Sequence, residues 1–392
     1  LNGAQIYTQG SATVTINNGT IKRIDEPTSG SANNFAIQVM NGSSLMLGAG
    51  TGSTYKVTLE STYGIYNVGG TLTVRYATIT TKGWSIAVSD SPSKTGVVYI
   101  GRSMGGNTKT VITSESGNVV GTMVNSKPNV TIDYGTLTSN GTAWDEGVVY
   151  WASEGTLTIN GGIFKASTDE GSTAAAVHQK NGTVKISGTT TKLLGNSALV
   201  VKAGEGSTGT MTTELSGGTY STKPDGSWVV EGKEIHQTDD GLYKIEGPYV
   251  VEVTLEDGTV RSFDSWSKAF YSTAAQEHNA TVKLLTNIET TSLVNTWATV
   301  TVDFNGHTLT VNASGVAAIT VLTKGTAGNV TLKDSVGGGG MVTTGVYGVT
   351  VKGTGAAATV ESGTYNCATT AVQVENGTAY IKGGTFQTDD AD

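Results

Sequence analysis

The sequence predicts an all-β protein made of two right-handed parallel β-helices, with three short strands per coil and about 27 residues per coil. A connector of hairpins and one helix joins the two arrays. Three observations lead there. A short alternating segment recurs as Gly70-Thr-Leu-Thr-Val, Gly155-Thr-Leu-Thr-Ile, Gly182-Thr-Val-Lys-Ile and Gly209-Thr-Met-Thr-Thr, with the last three copies spaced by 27 residues. Glycine is abundant, 54 of 392 residues, while proline numbers only 5, so the corners are to be turned by Gly and Asn. Charged residues make up only 14% and hydrophobic ones 37%, a composition for a packed chain and not for a disordered one.

Each copy alternates with period two and so has one buried face. Leu72, Leu157, Val184 and Met211 are expected in one inward column and Val74, Ile159 and Ile186 in the next, with Thr73, Thr158, Lys185 and Thr212 outward. A strand precedes each copy: Ala36-Ile-Gln-Val, Gly64-Ile-Tyr-Asn, Val149-Tyr-Trp-Ala and Ala176-Val-His-Gln. A third strand follows, often opened by paired glycines, with Ile79, Leu137, Phe164, Tyr220, Tyr365 and Phe386 inward. An antiparallel sandwich would also show frequent turns, but a near-constant 27-residue interval is foreign to it.

The pattern divides the chain into a first β-helix over 1–222, a connector over 223–279 and a second, shorter β-helix over 280–392. In the connector, Pro224-Asp-Gly and Asp239-Asp-Gly are turn chemistry, and Trp228-Val-Val is expected to pair with Leu242-Tyr-Lys-Ile. Tyr249–Leu255, Asp257-Gly and Val260-Arg-Ser-Phe form a second hairpin signal. A helix is expected from Asp264 to His278, N-capped by Asp264 and ended by Asn279. Trp266, Ala269, Phe270, Thr273 and Ala274 lie on its one apolar face. Such a helix can cover the end of a β-helix, where unpaired edges and core would otherwise face solvent.

The connector helix Ser265-Trp-Ser-Lys-Ala-Phe, the strand Ala280-Thr-Val-Lys-Leu-Leu-Thr-Asn-Ile and the segment Val302-Asp-Phe-Asn-Gly-His-Thr-Leu-Thr together resemble the opening of pectin-lyase-like right-handed β-helix domains. These domains belong to large surface proteins of Gram-positive, often gut-dwelling bacteria. The Gly-Gly-Thr-Tyr/Phe coil endings are similar to the same group. The resemblance spans nearly the whole chain through scaffold motifs and implies an extracellular, adhesin-like protein; it transfers no catalytic residue. Leu1-Asn-Gly matches Phe304-Asn-Gly of the second array, and Gly383-Gly-Thr-Phe matches Gly217-Gly-Thr-Tyr at the end of the first; the given sequence shows no initiator Met, signal peptide or anchor and is expected to be a piece of a longer protein.

Ligands of a solenoid bind along its lateral faces. In the strand before each Gly-Thr unit, the outward column is expected to carry Gln38, Tyr66, Trp151, His178 and Gln373, with Trp144 and Trp84 near the turns that begin the strand. Aromatic faces beside amides suit sugar recognition, because rings pack on C–H faces while polar groups bond hydroxyls. Tyr66, Trp151, His178, Trp144 and Trp84 are therefore the candidate glycan- or host-ligand-binding residues; the competing expectation is that Trp151 and Trp144 lie covered under a loop.

The enzyme alternative, a polysaccharide lyase or glycoside hydrolase, would use Asp145-Glu146 and Asp169-Glu170 from neighbouring coils, with Arg102 or Lys180 as cation. Glycoside hydrolysis needs two carboxyls about 5 to 9.5 Å apart, and acidic turns are equally explained by solvation. A remoter alternative, ice binding, rests on Thr13/Thr15, Thr71/Thr73, Thr156/Thr158 and Thr210/Thr212 on one flat face, interrupted by Met46, Tyr99 and Lys185.

Other classes are excluded or unsupported. A net charge of −8 opposes nucleic-acid binding. No apolar run is long enough for a membrane helix, so no insertion is expected. The single cysteine, Cys367, permits no internal disulfide, and His178, His236, His278 and His307 show no metal-ligand spacing. No phosphate loop, nucleophile elbow or dinucleotide fingerprint is present. No cofactor is expected, and the chain is expected to be monomeric.

Overall fold

Parallel pairing between successive coils organises the protein. The computed structural model describes residues 4–23, 34–48, 56–102, 110–203, 210–271, 279–315 and 317–387. The chain divides into two units, Leu1–Glu246 and Gly247–Asp392. In the first, each coil visits three sheets in turn. Sheet A stacks eight strands from Ile6–Thr8 to Ser197–Val201, and sheet B eight from Thr13–Ile16 to Thr212–Leu215. Sheet C begins at Gly19–Lys22 and ends in an antiparallel hairpin.

The alternation in each strand translates into columns. Leu45, Leu72, Val98, Val130, Leu157 and Val184 stand in register along sheet B, and Ile79, Ile112, Leu137, Phe164, Leu193 and Tyr220 along sheet C, all buried. Each such apolar side chain contributes about 1.5–3 kcal/mol by burial. Met211 does not join the first column as expected. Thr213 pairs with Val184 and Leu215 with Ile186, two residues further on. Met211 and Leu215 share one parity of the alternation, and it is Leu215 that reaches the core.

The corners explain the glycines and amides. Gly188 has φ 80°, and a Cβ there would collide with the Asn160 carbonyl of the preceding coil. Where sheet A turns into sheet B, the buried Asn67 donates from Nδ2 to the Val97 carbonyl (2.9 Å) and accepts at Oδ1 from the Gly70 N–H (3.1 Å). Gln179 repeats this device, donating to the Gly182 and Thr212 carbonyls.

The expected connector is shared between the two units, because each half is hydrogen-bonded to the coil beside it. In the first unit Tyr243–Glu246 pairs antiparallel with Thr219–Tyr220 and with Glu234–Gln237. The hairpin thus uses Glu234–Gln237 in place of Trp228-Val-Val. Trp228 instead closes a 3-10 turn, Gly226–Trp228, capped by the Asp225 carboxylate accepting from the Ser227 N–H, and packs on the end of the core.

The second unit opens with the hairpin Val251–Thr254/Val260–Phe263, antiparallel to Ala280–Leu284, and continues as seven-, five- and four-stranded sheets of stacked parallel coils. The helix described is Trp266–Ala269. Its N-cap is Ser265, whose Oγ accepts from the Lys268 N–H (3.3 Å), and not Asp264, whose carboxylate is held by the Lys268 ammonium at 2.6 Å. Trp266, Ala269 and Phe270 are buried in the core of this unit, as the apolar face requires; Thr273, Ala274 and the remainder to His278 lie outside the described residues. Asn279 has the left-handed φ of 61° expected of a helix-ending residue. Cys367 is buried and unpaired.

This packing makes the helix a structural cap. Trp266→Ala is expected to cost the second unit about 3–5 kcal/mol in urea unfolding, the usual range for a deleted core aromatic. A loss below about 1 kcal/mol would show instead that the indole is dispensable to the core.

Candidate functional site

Strand register decides which side chains reach the outer face of sheet A. The outward row runs Tyr7, Gln38, Tyr66, Ala87, Gly121, Tyr150, His178 and Val200. Tyr66 and His178 stand in it as expected. Trp151 does not: it is aligned with Gln179 on the inner side and is fully buried, its indole N–H without a hydrogen-bond partner. The residue that takes the outward place is Tyr150. In the three-residue strand Val149–Trp151 both aromatic neighbours are large, so alternation alone does not tell them apart. Pairing of Val149 with Val177 does.

The face is aromatic along much of its length. Tyr66 stacks on Phe35, centroids 5.2 Å apart and planes 21° apart. Trp84 is half-buried and lies over Gly121, where a Cβ would come within 2.9 Å of the ring. A glycine inside a strand is the sequence signal for such a close approach. Beyond it stand Tyr150, Trp144 and His178, with centroids 5.7–5.8 Å apart. Trp144 is 47% exposed, and the Lys180 ammonium sits 4.5 Å from its ring centroid. Burial pushes the Tyr66 and Tyr150 hydroxyls up in pKa, the latter helped by the charge of Asp145. No Asp, Glu, Lys or Arg lies in any of the eight strands of sheet A.

Trp144 is carried on the loop between Thr136–Ser139 and Val149–Trp151. Glu146 folds this loop: its Oε2 accepts from the Thr142 and Ala143 N–H groups, both at 3.1 Å. The Thr173 N–H donates to the Thr142 carbonyl from the next coil, and the Asn118 amide donates to the Asp145 carbonyl from the previous one. His178 anchors the loop from below through a 2.8 Å contact between Nδ1 and the Trp144 carbonyl.

Of the residues of the enzyme alternative, the acids share a corner and Arg102 stands apart. Asp145 and Glu146, and Asp169 and Glu170, do occupy the same sheet C-to-A corner on successive coils. Arg102 follows Val97–Ile100 at the B-to-C corner, with its guanidinium 4.2 Å above the Tyr99 ring. Lys180 stands at the third corner, on Trp144. The Asp169 main chain is a turn, its N–H bound to Ser167 Oγ and its carbonyl to the Asn196 amide. Among the described residues, no group of three His, Cys, Asp or Glu is placed to hold a metal ion.

Thr13/Thr15, Thr71/Thr73 and Thr156/Thr158 do line the outer face of sheet B. The final pair there is Thr212/Glu214, not Thr210/Thr212, and Glu214 is bridged to Lys185 at 2.8 Å. No family model, curated protein or solved structure matches the chain.

Two substitutions separate the inner from the outer aromatic. Trp151→Ala is expected to cost about 3–5 kcal/mol in denaturant unfolding, whereas Tyr150→Ala, on a half-exposed ring, should cost less than about 2. Equal losses would contradict the register. Gly121→Val is expected to push the Trp84 ring off the strand and raise its exposure to acrylamide quenching. Unchanged quenching would show that the indole does not depend on the glycine.

Proposed function

We propose that this chain is an extracellular, adhesin-like segment of a bacterial surface protein that binds glycans through the aromatic face of sheet A. The observation that carries the proposal is Trp144: an indole 47% exposed, on a loop tied down by the neighbouring coils, beside Tyr150. Large exposed rings on a rigid support are costly for a protein to keep bare and lose little freedom on binding. A sugar ring can pack on them while Lys180, Asp145 and the Tyr150 hydroxyl lie at hand for its polar groups. The uncharged strands of sheet A favour neutral over strongly anionic sugars.

The cell-surface assignment and the kinship with pectin-lyase-like domains rest on the sequence motifs of the second array. The stacked parallel coils are consistent with that group. A lyase built on Arg102 has less support, since its acids and Arg102 occupy different corners, and a hydrolase has less support because Glu146 is engaged by its own loop. Ice binding has less again, because Met46, Tyr99, Lys185 and Glu214 break the threonine face.

A glycan array tests the proposal. Binding of a neutral oligosaccharide is expected to weaken about tenfold in both Trp144→Ala and Tyr150→Ala, the loss of about 1.4 kcal/mol of ring packing. Asp169→Ala should bind as the parent does. Binding that survives both aromatic substitutions would move the site elsewhere. Sugar release abolished by Asp169→Ala would favour the enzyme.

A further inference from the structure

The imidazole of His178 helps to tie down the Trp144 loop, and its surroundings are unusual. Its ring is only 5% exposed. Nδ1 lies 2.8 Å from the Trp144 carbonyl, 34 residues earlier in the chain. A carbonyl can only accept, so Nδ1 carries the proton and Nε2 presents a bare lone pair. Nε2 is buried and has no partner. Both Trp144 and Tyr150 meet the imidazole edge-on, at 5.7 Å and interplanar angles of 73° and 90°. The side chain thus ties the strand Ala175–Gln179 to the loop at Trp144 itself, while the Val148 N–H bond to the Ala175 carbonyl fixes only the loop's end.

We infer that His178 is a proton-sensitive latch: it holds the Trp144 loop against sheet A while its imidazole is neutral, and releases the loop when the ring gains a second proton. A proton on Nε2 would place an unpaired charge where no acceptor and no water-exposed surface exists. The charged groups around the ring are Lys180 on its own segment, Lys202 after the next strand of sheet A, and Asp145 on the loop itself; Tyr150 faces it from the preceding strand. The two lysines oppose the proton and Asp145 favours it. Burial, the largest influence, holds His178 below the usual histidine range, with the bond to the Trp144 carbonyl working the other way.

The sign follows from linkage. With the loop open, His178 is solvated and titrates near the ordinary value of about 6.5; with the loop closed it titrates lower. The open form therefore binds more protons, and the closed form loses stability as pH falls below about 6.5, until the pH drops under the closed-state value. Above that window the latch is fully engaged. The latch rests on these contacts and not on the identity of the ligand. Where a glycan does bind Trp144, its affinity should fall with acid in step with loop release.

Hydrogen exchange of residues 140–147, corrected for intrinsic pH dependence, tests the latch on the full chain. Protection is expected to fall by up to about fivefold between about pH 6.5 and 5.5, because a group that titrates near 6.5 in the open form is already half protonated at the start of that window. In His178→Gln the amide N–H can still donate to the Trp144 carbonyl but cannot titrate, so protection should stay level across that window. Wild-type protection that does not change, or an equal fall in His178→Gln, overturns the inference. A second readout does not require that variant to fold. The NMR titration of the His178 ring should show a midpoint below the ordinary value in the wild type and move up towards it in Trp144→Ala, where the ring is uncovered. A wild-type midpoint at or above the ordinary value, or one unmoved by Trp144→Ala, also overturns it.

Discussion

Coil-to-coil parallel pairing in strict register is the constraint on which the rest of this protein depends. Because each strand bonds to its counterpart one coil away, like positions are stacked at about 4.8 Å and a single residue type is propagated along a column. Apolar columns then form a core without any one strand being long: most strands here have three to five residues. The same rule makes small residues obligatory at corners, where the backbone of one coil meets that of the next, as at Gly188 over Asn160. Buried amides such as Asn67 and Gln179 add side-chain hydrogen bonds to carbonyls at the sheet A-to-B corner.

A stack of coils leaves an exposed cross-section wherever the repeat stops, and the middle of the chain handles two such places differently. After the last coil of the first unit, a hairpin pairs antiparallel on Thr219–Tyr220 while Trp228 and Val229 cover the core. Before the first coil of the second unit, another hairpin extends the sheet and the Trp266 helix fills the interior. Antiparallel pairing ends the propagation because it replaces the template for a further parallel coil.

The aromatic face of sheet A follows from this regularity. Outward positions make no demand on the core, so they can carry rings, and stacking aligns those rings along the unit. The loop bearing Trp144 is then held by groups from three coils: Asn118, Glu146 and Thr173, and His178. The acidic pairs, by contrast, sit at the sheet C-to-A corner, where Glu146 is engaged by its own loop and from which Arg102, at the B-to-C corner, stands apart.

Much of the architecture was legible in the residues alone. The 27-residue recurrence, the alternation of Leu72, Leu157 and Val184, the paired glycines and the apolar face of Trp266, Ala269 and Phe270 all state local geometry, and local geometry is what a stacked repeat multiplies. What the sequence left open was everything that depends on a partner strand. Tyr150 and Trp151 are adjacent, both large and both aromatic, and a slip of one residue exchanges the inside for the outside. A shift of two residues puts Thr213 where Met211 was expected and brings Leu215 into the core, and the helix is capped by Ser265 while the Asp264 carboxylate goes to the Lys268 ammonium. The rings that gather around His178 come from positions 144 and 150 in one coil and 178 in the next, with no spacing motif to join them. The sequence by itself determined that this chain is a stack of short parallel strands, because alternation and glycine placement are local properties. Only the tertiary structure decided which of two adjacent rings, Tyr150 or Trp151, faces solvent and which rings meet there, because register is a property of two coils and is never written in one.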